Sequence, residues 1–362
     1  LAVKISFDQR PFKSAMTPPQ LLTEINEQPA VLARLLDAES ANIQRIADKI
    51  NRAGIQYITI AARGTSDNAA TYAKYVFAAF NRLPVALATP SLYTVYKTPP
   101  RLAGSLVIGI SQSGQSPDIV AVVEEARKQN VPTLAITNFE NSPLARAADD
   151  LILQHAGEEK TIAATKTYTT QLLALAMLST ALINDSARRN EIEKIPEAVA
   201  RTLSLHDAAE LAASRWAIAT TCLVIGRGFN YTTAYEIALK FKELAYVTAE
   251  PFSSADFLHG PIAVVQGGYP VLFIAPRGQV FDDLLGVAQQ LKQRGADLVM
   301  ISDNANALAL SRAPLALPMS LPEWLSPMIA VIPGQLMAYH LTSVKGYDPD
   351  HPRGLTKVTK TL

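Results

Sequence analysis

The six residues Ser111-Gln112-Ser113-Gly114-Gln115-Ser116 combine three hydroxyls with the Gln112 amide, between an apolar run and a helical pattern starting at Asp118. In that order they fall at the C-terminal end of a parallel strand, where open α/β sheets bind ligands. Hydroxyls, an amide and the N–H groups of a helix N-terminus suit a phosphate without any lysine. The plain alternative is a Ser-rich turn with an N-cap. Thr65-Ser66 holds the same place after an earlier apolar run, and there N-capping is the simpler explanation. Glu236, Lys240 and Glu243 share one helix face opposite Ile237, Phe241 and Leu244, which by default is a solvated face with an ion pair. His259 lies in the breaker-rich His259-Gly260-Pro261; its titration range suits acid–base work, although a lone loop histidine is usually not catalytic. Lys357, in a polar tail, reads as a surface lysine.

These residues are set in a chain that repeats itself once. Arg63-Gly64 recurs as Arg227-Gly228, Gly114-Gln115 and Asp118 as Gly278-Gln279 and Asp282, and Lys128-Gln129 as Lys292-Gln293, always 164 positions later. Tandem copies imply two domains of one fold. They differ at the loop: Ser111-Gln112-Ser113 in the first copy is Ala275-Pro276-Arg277 in the second, so the first is built to hold an oxyanion and the second is scaffold.

Apolar periodicity predicts helices over 21–36 and 41–52, then in each unit strands alternating with helices. The strands are 57–61, 106–110 and 133–136, with 151–153 as a further candidate, then 222–225, 271–274 and 298–301. The helices are 68–80, 118–128 and 166–183, then 192–213, 232–246, 281–294 and 324–344, the last with bends at Pro327 and Pro333. This alternation gives an α/β fold: two tandem doubly wound domains, each a parallel sheet covered on both faces. The expected boundaries are an arm over 1–19, a first, phosphate-binding domain over 20–187, a second over 188–345 and a tail over 346–362.

Composition excludes several classes. The 362 residues suffice for two cores, and 49% hydrophobic with 18% charged content is globular rather than disordered. A net charge of +1 supplies no field for nucleic acid or membrane, and no apolar stretch has the length of a membrane span. The one cysteine, Cys222, excludes a disulfide framework and fits a reducing, cytoplasmic setting. The start, Leu1-Ala2-Val3-Lys4, lacks a signal-peptide layout and lacks Met, as expected of a processed or tagged end. The five histidines, His155, His206, His259, His340 and His351, show no metal-ligand spacing. With no Walker-type loop either, neither metal nor cofactor is expected.

At these residues the chain resembles the sugar isomerase (SIS) family. The matching segments are 24–29, Arg63-Gly64-Thr65-Ser66, 110–114, Ala163-Ala164-Thr165-Lys166, 238–243, His259-Gly260-Pro261 and 352–357, in family order over nearly the whole chain. The nearest likeness is to the isomerase half of the glucosamine-6-phosphate synthases and, through Glu159 to Lys166, to stand-alone SIS-type glucosamine-6-phosphate deaminases. The resemblance implies two doubly wound domains, in agreement with the repeat. It implies that Ser111, Gln112, Ser113 and Ser116, with Ser66, bind a sugar 6-phosphate, that Thr65 holds a sugar hydroxyl, and that Ala164 lies in a stretch touching the sugar. It further implies that Glu243 moves a proton between C1 and C2, that Lys240 supports it, that His259 opens the ring, and that Lys357 meets the open-chain carbonyl.

Three departures bear on function. The synthases have a glutaminase domain with a cysteine nucleophile; this chain has none, so glutamine-derived ammonia is not expected from it. Ala164 replaces a serine, and Arg63 replaces the usual cysteine. The expectation is therefore an isomerising deaminase converting glucosamine 6-phosphate to fructose 6-phosphate and ammonia. The alternatives are a deglycase or deaminase of another amino-sugar or fructosamine 6-phosphate, and a non-catalytic sugar-phosphate sensor. The expected partners are a small sugar phosphate and a second copy, in a homodimer with His259 contributed across subunits. The apolar helix over 167–183 could add to that interface, although core packing is the commoner role.

Overall fold

The computed structural model describes residues 18–357. Most of the expected arm and the end of the tail lie outside the described residues.

Ten strands form two five-stranded, wholly parallel sheets. The first contains β1 (Tyr57–Ala61), β2 (Val85–Leu87), β3 (Ser105–Ile110), β4 (Thr133–Thr137) and β5 (Asp150–Leu153), in the order β2-β1-β3-β4-β5. The second contains β6 (Thr221–Gly226), β7 (Thr248–Ser253), β8 (Pro270–Ile274), β9 (Asp297–Ser302) and β10 (Leu315–Ala316), in the order β10-β9-β8-β6-β7. These are the same topology written twice. In each, strand order reverses once, between β1 and β3 and between β6 and β8, leaving a crevice at the carboxyl ends of those strands.

The expected central strands form; the edge strands β2, β7 and β10 were not anticipated. β2 has three residues and β10 two, too few for a period. β7 contains Glu250 and Pro251, residues that an edge strand tolerates.

Side chains alternate between two environments, as strands covered on both faces require. Ile58 and Ile60 of β1, with Cys222 and Val224 of β6, enter one large apolar core shared by both units. Val107 and Ala135 face a separate core of the first unit, and Leu223 and Ile225 one of the second. The shared core places the carboxyl ends of both sheets in one rigid frame.

Four helix expectations are corrected. The helices expected over 21–36 and 41–52 are instead Gln20–Asn26 and a continuous Gln28–Ala53, because Asp37 to Ser40 contains no breaker whereas Pro29 opens a new first turn. The helix expected over 192–213 is three, Ser186–Ile192, Ile195–Thr202 and His206–Arg215, with Pro196 again in a first turn. Pro327 opens the helix Ser326–Val344 rather than bending it; Pro333 lies inside. The helix Lys166–Leu182 is buried at every residue, so it is core within the chain rather than a free face.

Candidate active site

The first crevice is built by the turns after β1 and β3. Gly64, at φ 54°, precedes the helix Thr65–Val76, and no side chain caps that helix. Thr65 and Ser66 are therefore not N-caps. Ser66 Oγ accepts from Gln171 Nε2 at 3.1 Å, while Thr65 Oγ1 donates to Glu236 Oε1 at 3.1 Å. Gln171 Oε1 is buried with no partner among the described residues.

In the loop after β3, Ser111 Oγ accepts from Gly114 N at 3.1 Å and Ser113 Oγ from Gln115 N at 3.3 Å. Gly114 has φ 62°, and a Cβ there would lie 2.2 Å from Ser142 Oγ, so only glycine fits this turn. The backbone N–H groups of Gln112, Ser113 and Ser116, and the side chains of Gln112 and Ser116, find no hydrogen-bond partner among the described residues. Ser116 sits in the N-cap position of the helix Pro117–Lys128 without closing a side-chain cap. Donors without acceptors at a helix N-terminus favour an incoming anion. Arg63 Nε pairs with the buried Asp118 Oδ2 at 2.8 Å and ties the two turns together.

Glu236, Lys240 and Glu243 are not a solvated face. The helix Tyr231–Leu244 presents them to the first unit, where Glu236 is wholly buried and Lys240 nearly so. Asn68 Nδ2 donates to Glu236 Oε2 at 2.7 Å. Lys240 Nζ lies 3.4 Å from Glu236 Oε1, 3.3 Å from Thr65 Oγ1 and 2.6 Å from Glu243 Oε2. Burial pushes the Glu236 carboxyl up to about 7, against the lowering effects of Lys240, Asn68 and Thr65. Burial acts to lower the Lys240 pKa, yet the carboxylates of Glu236 and Glu243 outweigh it and hold the amine charged. Glu243 alone keeps an exposed side chain, 25%, so it is the carboxylate that a ligand can reach. The chain of contacts runs from Asn68 through Glu236 and Lys240 to Glu243, with its outer end in solvent.

Lys357 is not a free surface lysine either. Its Nζ lies 2.9 Å from Glu159 Oε2 and 2.6 Å from the Thr161 carbonyl. That places the tail beside the connection carrying Ala164, which is half-buried. His259 ends the short helix Ser254–Leu258; it is exposed, and its ring has no partner among the described residues. Within one chain, therefore, Thr65, Lys240 and Glu243 come together, Ser66 bonds to Gln171, Lys357 reaches the first unit, and His259 stands apart. Sequence reading gave no role to Asn68 or Gln171, and named Glu159 only as the start of a matching segment. Local spacing does not reveal their roles, since each acts through a partner more than a hundred positions away or through a buried helix end.

The second crevice differs. Gln279 N donates to Glu323 Oε2 at 2.7 Å, and Arg277 N to Asp303 Oδ1 at 2.7 Å. A Cβ on Gly278 would lie 2.4 Å from Glu323 Cδ. Arg227 pairs with Asp283 at 2.7 Å, so Asp283, and not the repeat-matched Asp282, plays the part that Asp118 plays in the first unit. No helix among the described residues is long and apolar enough to cross a membrane.

Comparison with known proteins follows the same division. The SIS domain model matches residues 53–181 and 218–345, one match per unit. The glutamine–fructose-6-phosphate aminotransferase (isomerizing) of Pyrococcus horikoshii is 37% identical over 344 residues, covering 93% of this chain and 57% of that protein. The chain thus spans little more than half the length of that relative. Among solved structures, the C-terminal domain of glucosamine-fructose-6-phosphate aminotransferase from Francisella tularensis superposes with a TM-score of 0.83 at 30% identity, over 93% of this chain and 98% of that one. A glucosamine-6-phosphate deaminase from Thermotoga maritima shares the fold, with a TM-score of 0.76 at 21% identity over 94% of this chain and 100% of that one.

Proposed function

The chain belongs to the SIS domain family, and on that premise we propose that it is a sugar-phosphate aldose–ketose isomerase acting as a glucosamine-6-phosphate deaminase. The observation that carries this reading is the carboxylate of Glu243, held by the buried Lys240 beside Thr65. Isomerisation needs one base that removes a proton from C2 and returns it to C1, and a single reachable carboxylate beside a fixed cation suits that task.

The 6-phosphate binds the turn Ser111–Ser116, with Ser66, and Thr65 takes a sugar hydroxyl. His259 assists ring opening to the amino-aldehyde. Glu243 takes the C2 proton, giving an enolamine, and protonation at C1 gives the C2 imine. Water adds to that imine, and fructose 6-phosphate and ammonium leave. Lys357 faces the open-chain carbonyl. Ala164, where related chains have serine, removes one hydroxyl contact to the sugar. His259 stands apart within one chain, so the neighbouring copy's His259 completes each site in a homodimer.

The test is ammonium release from glucosamine 6-phosphate, with galactosamine 6-phosphate and a fructosamine 6-phosphate alongside. Glu243→Gln is expected to lower kcat by about 10²- to 10⁴-fold while sugar phosphate still binds. Release from another sugar alone keeps the proton shuttle and changes the substrate; binding of all three without release favours a sensor. The dimer claim has its own measurement. Mixed Glu243→Gln and His259→Asn chains, each inactive alone, are expected to recover up to about a quarter of full activity through one intact shared site per mixed dimer. No recovery after subunit exchange places His259 in its own chain's site.

A further inference from the structure

We propose that Glu159 is the positioning residue for Lys357: it docks the tail ammonium beside Ala164 and sets where that amine meets the sugar carbonyl. This rests on the function proposed above for Lys357. Glu159 has no exposed side-chain surface and is held on every side. Its Oε1 accepts from Thr165 N at 2.9 Å and Thr167 N at 3.1 Å, capping the helix Lys166–Leu182. Its Oε2 accepts from Thr167 Oγ1 at 2.8 Å and from Lys357 Nζ at 2.9 Å. A buried carboxylate left without its cation is strongly unfavourable, so the pair holds the tail rather than merely touching it.

The rest of the tail is laid down to deliver that amine. Asp350 accepts from Gln20 N and Leu21 N, each at 2.8 Å. The Arg353 guanidinium lies 3.7 Å from the centre of the Tyr246 ring, and Arg353 N donates to the Tyr246 hydroxyl at 2.8 Å. Gly354, at φ 68°, turns the chain, and Lys357 then reaches Glu159 and the Thr161 carbonyl. The receiving connection is itself fixed, because Glu24, wholly buried, accepts from Thr161 N. Glu159 therefore joins two tasks that can be separated. One is capping a helix, which needs only an acceptor. The other is docking an ammonium, which needs the charge.

Glu159→Gln keeps an acceptor for the helix and removes the charge. The first readout needs no turnover: acylation of lysines by an amine-reactive ester, followed by mass spectrometry, with the exposed Lys128 as internal reference. Lys357 is expected to react about tenfold faster in Glu159→Gln than in the unaltered protein, and Glu159→Asp to restore part of the protection. Equal rates overturn the docking, whatever reaction the protein catalyses. The second readout is kinetic. Glu159→Gln is expected to lower kcat by about tenfold with KM little changed, and to have no further effect in a Lys357→Met background. A loss that persists beside Lys357→Met assigns Glu159 to the helix end alone and overturns the proposal. If the unaltered protein releases no ammonium from any of the three sugars, the deaminase reading fails, and the labelling rates still decide the docking. Should Glu159→Gln fail to fold, the unaltered protein decides it: Lys357 reacting as fast as the exposed Lys128 overturns the docking.

Discussion

The two crevices have the same strand order around them, yet one offers unpaired donors and the other has already taken its anions. In the first, Ser113 N has no acceptor among the described residues, and the loop is braced by neutral hydroxyls. In the second, the repeat-equivalent Arg277 N is bonded to Asp303, and Gln279 N to Glu323. In sheet register position 303 corresponds to Asn138 in the first unit, an amide where the second unit has a carboxylate. Glu323, like Glu159, lies in the connection between its sheet's last strand and the long helix that follows. The two acidic residues are used differently: Glu323 fills its own unit's crevice, whereas Glu159 turns to a helix end and the tail lysine. A helix N-terminus attracts negative charge whatever its source. A duplicated fold loses a ligand site once a side chain of its own supplies that charge.

The widest gap between the crevices is expected at their glycines. Gly114→Ala adds a Cβ at positive φ against Ser142 and is expected to cost about 3 kcal/mol or more and to abolish sugar-phosphate binding. Gly278→Ala meets only the movable end of Glu323; the expected cost is about 1 kcal/mol, smaller still beside Glu323→Ala, with activity kept. Denaturant melts of the four proteins check this, and equal losses at both glycines would break the comparison.

Next comes the hydroxyl set. Ser111→Ala with Ser113→Ala is expected to raise KM for the sugar phosphate about 10- to 100-fold, whereas Arg277→Ser in the second unit leaves it unchanged. A KM that responds equally to both changes would mean that the crevices share the ligand.

The smallest effect concerns the helix face that the second unit lends to the first. Glu236 titrates near 7 in the fold against 4.5 when free, because burial disfavours its charge. Between those values the folded chain binds the extra proton, so stability falls as pH rises from about 4.5 to about 7 and is level above. Relative to Glu236→Gln, the unaltered protein is expected to lose on the order of 1–3 kcal/mol across that window. A difference that stays flat, or rises with pH, would show that Lys240 outweighs burial.

Much of the frame was legible in order along the chain. The apolar runs at Tyr57–Ala61 and Thr221–Gly226, the glycine turns after them and the 164-residue offset suffice for two parallel units, because strand period and turn chemistry are local properties. The hydroxyl loop Ser111–Ser116 was legible for the same reason: its composition and its place after a strand lie within a few residues. Edge strands β2, β7 and β10 escaped because their pairing comes from a neighbour rather than from their own pattern.

What only the tertiary structure decided is which charges are buried and against what. Glu236, Lys240 and Glu243 have the spacing of an ordinary exposed face; the shared core turns that face onto Thr65 and Asn68, and burial makes of it a network of ion pairs and hydrogen bonds. Lys357 has the look of a tail residue until a buried carboxylate almost two hundred positions away receives it. Electrostatic energies depend on distance and dielectric in three dimensions. The sequence by itself therefore determined the repeated fold and the hydroxyl-rich turn, and the packing of one unit on the other decided which side chains gather beside it.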